Sequence, residues 1–286
     1  MNTCRESLLE LARRAVASGT SIVAKSAVQS ISVKGDRDFV TDLDIAVQEH
    51  VESYLHSEAP HIGFLGEEGD NALHESGPFW VLDPIDGTSN FIHGLPIFGI
   101  SLALFENSRP TIGVIALPAL HREYYAAEGI GAFCNGRPIQ VGAAARLSEA
   151  IVSIGDYAVG RDAEERNLPR LSLTGLLAAQ AERIRMFGSA AFDLVCVAQG
   201  STDGCVILSN NLWDVAAGAV IVRESGGYVY DSDGSDHGIG SRHTIAGNAH
   251  TAEALVALVG QAHRTSADRQ GDICPRDRYV QPNPPR

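Results

Sequence analysis

Apolar residues at Leu8, Ala12, Ala15 and Val16, and again at Val47, Val51, Tyr54 and Leu55, recur at helical spacing and predict two amphipathic helices at the start of the chain. Short apolar runs follow at 62–65, 79–82, 97–105 and 111–117, each bounded by glycine, proline or acidic residues in the manner of strands. Asn135-Gly136 offers two residues that tolerate positive φ, so a hairpin turn within an antiparallel meander is predicted there. From Ile151 the pattern alternates. Strands are predicted at 151–154, 183–186 and 205–208, and helices at 169–180, from Ser189 onward and at 214–225, the last stopped by Gly226-Gly227. A final helix is predicted at 252–259. The stretch from Arg264 to Arg286 has four prolines and few apolar residues, a composition that predicts a disordered tail. The domain expectation is thus one folded unit over 1–262 and a tail over 263–286.

Composition narrows the partners. The 286 residues are 44% hydrophobic and 20% charged, enough to bury a sizeable core. The formal net charge is −13 and the longest basic stretch is Arg13-Arg14, too short to track a phosphodiester backbone, so nucleic acid is excluded as a partner. An acidic protein that handles an anionic substrate needs another source of positive charge, and a divalent cation is the simplest. Five cysteines, odd in number and without C-x-x-C spacing, point to a reducing compartment. With no signal-peptide core and no 18-residue apolar run, the expectation is a cytoplasmic protein with no membrane partner.

The chemistry concentrates in acidic elements that follow apolar runs. Trp80-Val81-Leu82-Asp83-Pro84-Ile85-Asp86-Gly87-Thr88 takes a strand directly into two carboxylates three residues apart. Pro84 cannot donate to a sheet ladder, so the strand is expected to stop there and let Asp83 and Asp86 converge. Hard divalent cations favour such oxygen ligands. Gly87 permits close backbone approach, and a helix opening at Thr88 would offer free N–H groups to an anion. Glu67, in Leu65-Gly66-Glu67-Glu68-Gly69, would end a neighbouring strand. Asp214 would open an Ala-rich helix, and Asp44 would sit in the first turn of the second helix behind a Thr41 N-cap. Taken singly, turn formation or capping explains each of these elements except the string from Asp83 to Thr88.

Together they resemble the inositol monophosphatase family of Mg²⁺-dependent, lithium-sensitive sugar phosphatases, with matching order and separations from about Leu8 to Val259. The motifs are Gly66-Glu67-Glu68, Asp83-Pro84-Ile85-Asp86-Gly87-Thr88 with Asn90-Phe91, Gly188-Ser189-Ala190-Ala191, and Trp213-Asp214-x-Ala216-Ala217-Gly218. The resemblance implies an α+β fold, a layered αβαβα sandwich, assembled as a homodimer. It also implies two to three Mg²⁺ ions. Glu67, Asp83 and the Ile85 carbonyl would hold the first, Asp83, Asp86 and Asp214 the second, and Glu67 would support a weaker third through waters. Glu68 would orient a ligand or its waters. The phosphate would rest on the N–H groups of Gly87 and Thr88, while Thr88 and Asp44 would position and deprotonate the attacking water. Gly188, Ser189 and Ala190, with Asp86 and Asp214, would face the substrate.

The implied reaction is hydrolysis of a small polyol phosphate, inositol 1-phosphate foremost, without a phosphoenzyme. Histidinol phosphate, fructose 1,6-bisphosphate and 3′-phosphoadenosine 5′-phosphate are alternatives with the same chemistry, and a regulatory interaction protein is an alternative of another class. Family enzymes that contact inositol through a Glu carry it seven residues before the last metal-binding Asp. A gapless count reaches Ile207 here, which cannot accept those hydrogen bonds, leaving Ser209, Asn210 or Asn211 as substitutes. The ten histidines show no metal-ligand spacing, and His93, the one near the motif, reads as a polar strand edge.

Overall fold

The computed structural model describes residues 2–25, 30–35, 38–69 and 77–272. Helix α1 (Asn2–Lys25) leads to a hairpin of β1 (Ile31–Gly35) and β2 (Asp38–Thr41), then α2 (Asp42–Glu58), β3 (Gly63–Gly66), β4 (Phe79–Asp86) and the short α3 (Thr88–Ile92). The meander is β5 (Gly99–Glu106), β6 (Arg109–Leu117), β7 (Arg122–Ala127), β8 (Gly131–Cys134) and β9 (Arg137–Pro138). The second half holds β10 (Ile151–Ile154), α4 (Ala163–Gln180), β11 (Arg183–Arg185), α5 (Ala190–Ala198), β12 (Gly204–Leu208), α6 (Leu212–Glu224), β13 (Tyr228–Tyr230), β14 (His243–Gly247) and α7 (Ala249–Asp272). None of the described helices is long and apolar enough to cross a membrane.

Two sheets and three helical layers alternate. Strands β3 to β9 lie in sequence order in a seven-stranded sheet, and a five-stranded sheet runs β11-β10-β12-β14-β13. Trp80, Leu82, Leu102 and Val114 on one face of the larger sheet pack with Ala12, Val16, Val47 and Val51 of α1 and α2. Val81, Ala103 and Ile115 on its other face pack with α5 and α6, which also cover Cys205 and Ile207 of β12. The far face of the smaller sheet, through Val152, Val206 and Ile245, meets Leu173 and Leu177 of α4 and Leu255 and Val259 of α7. The result is the αβαβα sandwich. Because the larger sheet is covered on both faces, every residue of β4 is buried, and its sequence reads as a continuous apolar run rather than an alternation. Truncating a central residue such as Leu102, with no exposure, costs about 2–5 kcal/mol.

Three expectations shift and one element is new. Strand β4 does not stop at Pro84. It continues to Asp86, pairing Asp83 with Ser101 and Asp86 with Gly99, so three steps on β4 match two on β5 and the mismatch is a bulge. A bulge needs no ladder N–H from Pro84, which is why the proline is tolerated. Helix α4 starts at Ala163 rather than Pro169, its first turns tied down by Asn167, whose side chain bonds both N–H and C=O of Ala158 at 2.7 and 2.9 Å. The hairpin β1–β2 was not foreseen. Helix α7 extends from Ala249 through Asp272, past the expected boundary at 262/263, so the first ten residues assigned to the tail are helical. The four prolines that suggested disorder all lie beyond Asp272, and the rest of the expected tail, 273–286, lies outside the described residues. At 135–136 the turn forms as read: Asn135 and Gly136 take φ of 47° and 77° and link the paired Cys134 and Arg137.

Candidate active site

The carboxylates meet where the bulged end of β4 faces the helices between the sheets. Strand β3 runs parallel to β4, and Glu67 follows it, its N–H bonded to the Leu82 carbonyl at 3.1 Å. A Cβ at Gly66 would displace the Gln48 amide, which clamps Glu68 by accepting from its N–H at 2.9 Å. Asp83 is buried and its Oδ1 accepts from the Ile85 N–H at 3.0 Å, the turn that fixes the bulge. Asp86 reaches α5, accepting from the Ala190 and Ala191 N–H groups at 3.1 and 2.9 Å and from the Ser189 hydroxyl. Asp214 occupies the third position of α6 and accepts from the Asn211 N–H at 2.8 Å as half of a capping box. Asp44 does the same for α2, accepting from the Thr41 N–H at 2.9 Å.

One cleft of about 230 Å³ gathers Glu67, Asp83, Ile85, Asp86, Gly87, Thr88, Gly188, Ser189, Ala190 and Asp214. Of the site residues read from the sequence, Asp44 and Glu68 lie behind the lining, and Ser209, Asn210 and Asn211 are not part of it; Asp44 Oδ1 is 3.3 Å from Thr88 Oγ1, which is also 2.9 Å from the Ile85 carbonyl oxygen. Gly87 adopts φ of +83°, and a Cβ there would stand 3.0 Å from the Ile97 carbonyl oxygen and 3.1 Å from Ser189 Cβ. Only glycine satisfies both constraints.

Crowded, buried carboxyls resist ionisation. Burial, then the charges of Glu67, Asp86 and Asp214, push the Asp83 carboxyl well above the usual range. Burial takes Asp86 up to about 6 against the pull of the Ser189, Ala191 and Ala190 donors. It takes Asp214 up to about 8, helped by Asp86 and Glu67 and opposed by the Asn211 donors. No Lys, Arg or His lines the cleft among the described residues. The nearest compensation is Lys34 on β1, whose ammonium bonds Glu67 at 3.0 Å and Glu68. Glu67, Asp83, Asp86, Asp214 and the Ile85 carbonyl are the donor chemistry of a hard divalent cation. Among the described residues no three of these side chains are drawn to a common metal-ligand point. Asp83, Asp86 and Asp214 instead accept from the backbone and hydroxyl donors just named and Glu67 from the Lys34 ammonium, so the groups fit the ion in kind.

Sequence reasoning missed Lys34, Gly155, Asp156 and Asp193. Gly155 and Asp156 follow β10, and Asp193 lies on α5; all three line the cleft. Asp193 is 1% exposed with Oδ1 unpartnered, and burial pushes its carboxyl well above the usual range. The only signal for Asp156 was its place just past a predicted strand, beside the strand that carries Ile207.

The sequence matches the inositol monophosphatase family over residues 4–264. The chain belongs to that family. Within the inositol monophosphatase family, it is 36% identical over 230 residues to an inositol-1-monophosphatase of Rhizobium meliloti, covering 80% of this chain and 85% of that protein. It is 38% identical over 228 residues to a fructose-1,6-bisphosphatase/inositol-1-monophosphatase of Thermotoga maritima, covering 79% and 84%. The crystal structure of the extragenic suppressor protein suhB from Bartonella henselae superposes with a TM-score of 0.82 at 33% identity, covering 88% of this chain and 98% of that one. The inositol monophosphatase fold is therefore this chain's fold, and the protein is a phosphoric monoester hydrolase.

Proposed function

We propose that the protein hydrolyses the phosphate monoester of a small polyol, inositol 1-phosphate foremost, with Mg²⁺ held by Glu67, Asp83, Asp86, Asp214 and the Ile85 carbonyl. The observation that carries this reading is a cleft lined by six acidic side chains, Glu67, Asp83, Asp86, Asp156, Asp193 and Asp214, and by no basic residue among those described, with Thr88 and Asp44 in contact at its edge. A phosphate cannot enter such a cleft unless a cation intervenes. Mg²⁺, when bound, would shield the phosphate charge and acidify the attacking water.

The rest falls to the chain itself. The N–H groups of Gly87 and Thr88 hold a phosphate oxygen, and the positive φ of Gly87 aims them. Thr88 Oγ1 orients the attacking water and passes its proton toward Asp44 Oδ1; a threonine hydroxyl has one proton, so it serves Ile85 or Asp44 in turn. Burial raises the Asp44 carboxyl, against the opposing Thr41 donors, which suits it to accept that proton. Gly188, Ser189 and Ala190 face the organic moiety. A count of two to three ions, lithium sensitivity and homodimer assembly belong to the same reading on the family resemblance. So does a cytoplasmic location, which the free, buried Cys134, Cys196 and Cys205 suit.

Phosphate release from inositol 1-phosphate, histidinol phosphate, fructose 1,6-bisphosphate and 3′-phosphoadenosine 5′-phosphate, each with Mg²⁺ and with chelator, tests the proposal. Mg²⁺-dependent preference for inositol 1-phosphate supports it. Preference for another member moves the substrate and keeps the chemistry, and equal turnover with chelator rejects the metal assignment.

A further inference from the structure

The cleft has two chemically different ends. At one, Glu67, Asp83, Asp86 and Asp214 are committed to the cation that the proposed function requires. At the other stands Asp156, exposed, one residue beyond the Gly155 whose N–H extends the pairing of β10 with β12 by bonding the Val206 carbonyl at 2.9 Å. Asp156 projects across the mouth rather than away from it: a methyl group at Gly188 would stand 3.4 Å from its Oδ2. No described residue forms an ion pair with it, and no cationic side chain lines the cleft to offset it. The neighbouring wall is Ile207, against which a Cβ at Gly155 would pack at 3.4 Å. An apolar wall cannot bind an anion, and a bare carboxylate repels one.

We infer that Asp156 sets the substrate class of this site: it accepts hydrogen bonds from hydroxyl or ammonium donors on the leaving group and turns away substrates that carry a second phosphate there. This rests on the proposed phosphatase function and deepens it. Two unit charges about 5 Å apart in water repel by roughly 1 kcal/mol, and a phosphate dianion by about twice that. The charge alone is therefore worth a discrimination of about 5- to 30-fold, and salt weakens it.

The test compares kcat/KM for inositol 1-phosphate and fructose 1,6-bisphosphate, each divided by the value for 4-nitrophenyl phosphate, in the wild type, Asp156→Asn and Asp156→Ala. Asp156→Asn keeps the shape and removes the charge, and should raise the relative value for the bisphosphate at least fivefold. Asp156→Ala should in addition raise KM for inositol 1-phosphate by roughly tenfold, since it also loses the acceptor. In the wild type, added KCl should narrow the difference between the two substrates, and in Asp156→Asn it should not. Turnover of 4-nitrophenyl phosphate with unchanged ratios in both variants overturns this inference alone. Absence of Mg²⁺-dependent turnover of all three substrates removes the phosphatase reading and the inference with it.

Discussion

Thr88 Oγ1 and Asp44 Oδ1 stand 3.3 Å apart although 44 residues separate them, one opening α3 and the other in the first turn of α2. The contact exists because Asp44 divides its carboxylate: Oδ2 closes the capping box with Thr41, which leaves Oδ1 free to turn toward Thr88. If the pair relays a proton, Thr88→Ala should lower kcat by about 10²–10⁴-fold with little change in KM. Steady-state kinetics with inositol 1-phosphate decides. A change confined to KM would assign Thr88 to substrate binding instead.

Asp83 is the carboxyl that the other three crowd most, and it is 2% exposed. Asp83→Asn keeps its shape and its acceptor for the Ile85 N–H while removing an acid that, buried without metal, must take up a proton to fold at neutral pH. Turnover with Mg²⁺ should fall by roughly 10³-fold or more, whereas the metal-free variant should melt no lower than wild type and gain a few degrees at neutral pH. Thermal melts in chelator and activity in Mg²⁺ separate the two effects. A variant that unfolds would show that Asp83 holds the bulge rather than an ion.

The layers and the acidic motifs were legible because they rest on local signals. Apolar spacing marks α1 and α2, Asn135-Gly136 marks a turn, and the string from Asp83 to Thr88 has few purely structural readings. What escaped depends on the rest of the chain. Pro84 ends a strand in isolation, yet β5 accommodates it by a bulge that no local signal announces. The last turns of α7 have the charged composition of a tail, but Ser266 is buried, and no proline interrupts the helix before Asp272. Asp156 is an ordinary surface aspartate in the sequence and enters the cleft only through the parallel pairing of β10 with β12.

Metal binding should release protons. The carboxyls of Asp86 and Asp214, raised to about 6 and about 8, are partly or largely protonated at pH 7 without metal, and coordination demands their anionic forms. Raised acids stabilise the metal-free fold fully below about 3.8, their ordinary value, and that contribution fades as pH rises through about 6 for Asp86 and about 8 for Asp214. Mg²⁺ affinity should therefore climb between pH 6 and 8. Calorimetric titration at pH 7 in buffers of different ionisation enthalpy should give release of about one proton or more. Heats independent of the buffer would mean that the carboxylates are already ionised.

His237 supplies a pH effect away from the cleft. It is 7% exposed, its Nε2 lies 2.9 Å from Thr244 Oγ1, and its carbonyl accepts from Arg223 at 2.6 Å. Thr244 donates its one proton to Asn210 Oδ1, so His237 Nε2 is the donor, a role that the neutral ε-tautomer and the imidazolium both fill. Burial, then the Arg223 charge, lower its pKa from 6.5 to about 4. A depressed histidine contributes stability that is present above pH 6.5 and lost as pH falls through about 4, amounting to roughly 3 kcal/mol when complete. His237→Gln keeps a donor for Thr244 and cannot take up a proton. Denaturant titrations at several pH values between 7 and 4 should show the wild type losing more stability than the variant, by up to about that amount. Parallel curves would place the acid sensitivity of the fold elsewhere.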